Sequence, residues 1–113
     1  NRELNEALLV QLIRENLLPE LVCAFARLAD IDERTAKRIL FDKSGEGLAV
    51  ACKASRFDRA TFSTLVLLGS TDKSRSMDTT YHLLALYDKV PAHVAQRTMR
   101  FWRIRRQTLD NAA

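Results

Sequence analysis

Glycine and proline are scarce in this chain, with three Gly and two Pro among 113 residues. Hydrophobic residues reach 47% and charged residues 28%, a globular balance that excludes a disordered tail. Leu, Ala, Arg and Glu fill the places that turn residues leave empty, and these favour helices. No run approaches the roughly 18 apolar residues that a membrane span needs, and no charged-then-apolar leader opens the sequence. The first residue is Asn1 rather than Met, so the expectation is a single helical domain, residues 1–113, that is a piece of a longer protein.

Residues that carry chemistry are equally few. His82 and His93 are the only histidines, and neither sits in an H-x-x-x-H or C-x-x-C arrangement that would hold a metal. Gly45-Glu46-Gly47 lacks the third Gly and the Lys of a phosphate-binding loop, and no G-x-S-x-G elbow presents a nucleophile. The expectation is a protein that is not an enzyme and takes no cofactor or metal. Cys23 and Cys52 each lie in an apolar helical run, and both are expected to be buried free thiols in a reducing cytoplasm.

Apolar spacing of three and four residues predicts seven helices. Leu4, Leu8, Leu9, Leu12 and Ile13 mark the first, over 3–17, and Pro19 opens the second, over 19–29, because proline suits the first helical turn. Asp32 caps a third, 33–42, and residues 43–47 form a loop before a short helix, 48–55, apolar almost all round and so expected to lie centrally. Asp58 caps the fifth, with Phe57 stapled to Phe62, and its apolar face runs through Leu65, Val66 and Leu68 to Gly69. A polar linker, 70–76, leads to a sixth helix capped by Ser76 and carrying Tyr81, Leu84 and Tyr87; Pro91 opens a seventh that runs to about Gln107. Phe25, Leu28, Ile39, Leu48, Phe62, Leu65, Leu84 and Trp102 are the expected core.

One pattern recurs: a helix end, a polar pair, one apolar residue, a helix-starting Asp or Pro, and an apolar pair further on. It is read at Leu28 to Leu40, at Ala54 to Val66 and at Tyr87 to Met99. Such repetition predicts an all-α fold of stacked helical hairpins, either a HEAT-like α-solenoid or an irregular bundle. The run Phe25 to Ala29 with Arg38-Ile39-Leu40, the Gly47-Leu48-Ala49 helix, and Tyr87-Asp88 followed by Arg97-Thr98-Met99-Arg100-Phe101-Trp102-Arg103 resemble the bacterial domain-of-unknown-function family 2336 over about residues 21–106. That resemblance implies a helical piece of a cytoplasmic protein and brings no catalytic residues.

Charge is uneven along the chain. Residues 1–50 hold seven bases and nine acids, whereas 51–113 hold eleven and five, with no acid between Asp88 and Asp110. The seventh helix is expected to put His93, Gln96, Arg97, Arg100 and Arg103 on its outer face and Val94, Ala95, Thr98, Phe101 and Trp102 inward. Arg97, Arg100 and Arg103 would then form a docking strip for an acidic protein partner, or secondarily for nucleic acid, or remain a solvated face. Residues 26–40 are also similar to the helix-turn-helix of the lactose-repressor family. That similarity implies, as the alternative function, DNA reading by a unit at about 21–42 with Arg34, Thr35, Lys37 and Arg38 at the groove. Asp30 stands where that turn usually has Gly, and Asp30, Glu33 and Asp42 would repel phosphate. The function expected is therefore a non-catalytic helical module for protein binding or scaffolding.

Overall fold

A computed structural model describes residues 3–69 and 77–112, with side chains over 3–69 and 78–104. Among the described residues the chain forms seven helices and no strand: α1 Glu6–Arg14, α2 Leu18–Ala29, α3 Glu33–Phe41, α4 Glu46–Ala54, α5 Arg59–Gly69, α6 Met77–Lys89 and α7 Ala92–Ala112. The linker 70–76 and the cap expected at Ser76 lie outside the described residues.

Two helix starts follow from short side chains that accept first-turn N–H groups. Asn5 Oδ1 accepts from Leu8 N at 3.0 Å, so α1 begins at Glu6 rather than at residue 3, and Asp32 Oδ1 accepts from Thr35 N at 2.6 Å. α4 begins earlier than the turn residues suggest, because Gly45 takes a left-handed conformation, φ 72°, and becomes the cap itself. Only glycine fits there: a Cβ would stand 2.7 Å from Leu83 Cδ1.

α4 is the hub, touching α2, α3, α5, α6 and α7, while α1 packs against α2 and α5. Its buried residues, Leu48, Ala49, Ala51 and Cys52, are mostly small, so neighbouring helices approach closely on several sides. Contacts such as α1 with α5 and α4 with α7 join helices far apart in sequence, which makes the arrangement an irregular bundle. Phe25, Phe62, Leu9, Leu21, Leu65, Leu83 and Met99 are fully enclosed around this hub. Phe62 stacks on Tyr87 at 4.8 Å between ring centres, and Phe57 meets Phe25 edge-on at 6.4 Å.

Of the expected core, Phe25, Ile39, Leu48, Phe62 and Leu65 are buried, whereas Leu28, Leu84 and Trp102 are half-buried against it. α6 is turned by about one residue from the expected face: Thr80, Leu83 and Tyr87 point inward and Tyr81 is exposed. Leu68 is exposed as well. Cys23 corrects the sequence reading, since its thiol is exposed while Cys52 is buried; both are free. Cys23 occupies the outer side of α2, opposite Leu21 and Phe25, which hold the core.

Candidate functional site

What recurs in the fold is a way of ending a helix. Asn16, Asp30 and Arg56 all take left-handed backbone, with φ of 56°, 57° and 62°. Each is followed by an apolar residue whose N–H reaches back five residues: Leu17 to Leu12 O, Ile31 to Ala26 O and Phe57 to Cys52 O, at 2.9, 3.0 and 3.0 Å. This is the Schellman closure of a helix C-terminus. Two of the three patterned segments in the sequence, at Asp30 and Arg56, are of this kind. The third is not, because Lys89 keeps negative φ and α6 ends simply before Pro91; the α1–α2 junction at Asn16 takes its place.

Distant side chains lock two of these turns. Tyr87 of α6 donates its hydroxyl proton to the Phe57 carbonyl, and Glu6 Oε1 of α1 accepts from Asp58 N at 2.7 Å and Thr61 Oγ1 at 2.8 Å. Glu6 thus does for α5, from 52 residues away, what a first-turn glutamate does locally in a capping box. Asp88 holds Arg59 Nε at 3.0 Å, and Lys53 Nζ sits 4.6 Å above the Tyr87 ring. Burial pushes the Tyr87 phenol up to about 12, helped by the negative charge of Cys52, Glu6, Asp58 and Asp88 in their ionised forms.

α7 carries the other lock. Arg103 Nε and Nη2 donate to the carbonyls of Asp30 and Ala29, both at 2.7 Å, and Gln96 Nε2, two turns earlier, donates to Ala54 O at 3.3 Å. These are carbonyls at the C-terminal ends of α2 and α4, which have no partner inside their own helices and attract positive charge. Gln96 and Arg103 therefore face the bundle along with Ala95 and Met99, against the expectation that both point outward. The same rotation exposes residues expected inside: Val94 is 39% and Phe101 59% exposed. Arg97 and Arg100 are exposed beside them, with no ion pair among the described residues.

The three arginines proposed together as a strip are thus of two kinds. Arg97 and Arg100 share an outer surface with Val94 and Phe101, whereas Arg103 is a structural clamp. Hydropathy could not reveal this, since an Arg capping a neighbouring helix looks in sequence like any outward Arg. On α3, Arg34, Lys37 and Arg38 are exposed, and Thr35 is half-buried with its N–H held by Asp32. Asp30, Asp32, Glu33 and Asp42 lie exposed around them. The left-handed turn at Asp30 gives α2 and α3 a helix-turn-helix connection without glycine, and Arg103 grips its carbonyl.

Among the described residues no group of three or more His, Cys, Asp or Glu could hold a metal ion, and no helix is long and apolar enough to cross a membrane. The fold and its surfaces define an all-helical bundle closed by side-chain locks. The family model described as "Uncharacterised protein conserved in bacteria (DUF2336)" matches residues 1–100, and the chain belongs to that family. The match reaches further back than the sequence resemblance, to include α1. No curated protein and no solved structure matches the chain.

Proposed function

We propose that this chain is a non-catalytic protein-binding module of the cytoplasm whose docking element is the outer face of α7. The observation that carries the reading is the exposure of Val94 and Phe101 with Arg97 between them, at positions i, i+3 and i+7 of one helix, and Arg100 alongside. An exposed aromatic beside arginines is the composition of an interface centre, where rings and guanidinium groups contribute most of the binding. With no acid between Asp88 and Asp110, the surface suits a partner helix that carries apolar residues flanked by Asp or Glu.

A photo-crosslinking residue placed at Phe101, in cells of the bacterium it comes from, tests this against the same residue placed at the exposed Ala85 of α6. A discrete protein adduct from position 101 alone, lost when Arg97 and Arg100 become Gln, is the expected result. Absence of any adduct specific to position 101 contradicts it.

The α2–α3 connection supports a second reading, DNA binding through Arg34, Thr35, Lys37 and Arg38, because its turn has the left-handed geometry that unit requires. The four neighbouring acids weigh against it. A mobility shift with random and genomic duplexes separates the two readings: α3 contacts predict an affinity that falls steeply with salt and flattens when Arg34, Lys37 and Arg38 become Gln.

A further inference from the structure

A hollow of about 360 Å³ lies between α1 and α2, away from the α7 face. Leu8 and Leu12, one helical turn apart on α1, form one wall together with Leu4, which lies just ahead of the helix. The other wall belongs to α2, where Ala24 and the exposed Cys23 sit between Glu20 at one end and Arg27 at the other. Leu4 is 44% exposed; α7 reaches α2 at its C-terminal end, where Arg103 meets the Ala29 carbonyl, and Ala29 is not part of the lining of the hollow. Glu20 and Arg27 are both exposed and have no hydrogen bond or ion pair among the described residues.

We infer that this hollow is a docking groove for a short amphipathic helix of another protein, laid antiparallel to α2. Leu8 and Leu12, at i and i+4 of α1, form the kind of ridge against which a further helix packs, and Leu4 extends the apolar wall beyond the start of α1. Its two charges choose the occupant. They stand seven residues apart, roughly 10 Å along α2 at about 1.5 Å per residue, so the incoming helix needs a base opposite Glu20 and an acid opposite Arg27 two turns away. A helix tolerates an acid best in its first turn and a base in its last, which sets its N-terminus at Arg27 and its C-terminus at Glu20. The α7 helix of a second copy is a poorer match, since it has no acid from Ala92 to Leu109 to set two turns from one of its bases.

Cys23 provides a reporter inside the groove, and Cys52 gives no background because it is completely buried. The probe is a synthetic amphipathic peptide of four turns with leucines at i, i+4 and i+7, Glu in its first turn and Lys two turns later. The control peptide has Glu and Lys exchanged. The first peptide is expected to slow alkylation of Cys23 by iodoacetamide and to bind about fivefold more tightly than the control, the scale of two exposed ion pairs made rather than reversed. In the Glu20→Lys, Arg27→Glu double variant the preference should invert, and in Glu20→Gln it should shrink. Equal binding of the two peptides, no protection by either, or a preference unchanged in the double variant would overturn the assignment. Protection that rises with the concentration of the chain alone would overturn it in favour of a second copy.

Discussion

Tyr87 shows how one side chain can hold several elements at once. Its ring lies between Phe62 and Lys53, and its hydroxyl closes the turn that leads into α5. The neutral phenol is the form the fold favours, so its stabilising effect is complete below its ordinary value near 10 and declines as pH rises from there to about 12. Cys52, whose thiol is pushed up by burial and then by Glu6, adds a loss that begins nearer its ordinary value of 9.0. Urea unfolding at a series of pH values should therefore show stability falling above pH 9. In Tyr87→Phe the decline between pH 10 and about 12 should become shallower by the share of Tyr87, while the Cys52 part, which starts near pH 9 and continues through that range, stays. An identical alkaline decline in both proteins would contradict this. Tyr87 was legible in the sequence as an apolar residue of the sixth helix, but the Phe57 carbonyl it meets was not, because that contact joins residues 30 apart.

The helices themselves were largely legible, since apolar period and short capping side chains act within a few residues. Asn5 and Asp32 cap by strictly local bonds, and Asp32 was identified from sequence for that reason. Rotation of a helix about its axis is different, because it is decided by partners elsewhere. Thr80 turns inward in α6 although Tyr81 is the more apolar neighbour, and Gln96 and Arg103 turn α7 by seeking the carbonyl ends of α4 and α2. Glu6 gives the element-scale test. It accepts two bonds at the start of α5, one from the buried Thr61 hydroxyl, and bonds to a charged acceptor contribute about 1.5–3 kcal/mol each. Glu6→Ala should cost about 2 kcal/mol or more in urea unfolding, and Glu6→Gln, which keeps an acceptor, less than half of that. Loss of hydrogen-exchange protection should concentrate in the first turn of α5. A neutral Glu6→Ala would show that α5 is started by other means.

At the scale of the whole molecule, α7 is both a clamp and a surface. Its inner side, with Ala95, Met99, Gln96 and Arg103, rests on α4 and reaches the α2–α3 turn, and this fixes which residues remain outside. Arg103 follows the Phe101-Trp102 pair in the block by which the chain resembles its family, and Tyr87 begins the other block. Both blocks therefore contain residues that fasten turns, while Arg97, Arg100 and Phe101 stay exposed. The decisive measurement is the unfolding free energy of Arg103→Gln beside that of the Arg97→Gln, Arg100→Gln double variant. Arg103 makes two charge-assisted bonds to backbone carbonyls, so its replacement should cost about 2 kcal/mol, whereas the exposed pair should change stability by less than about 0.5 kcal/mol. The opposite pattern, with Arg103→Gln neutral and the double variant destabilised, would contradict the division of α7 into a structural side and a solvent-exposed side.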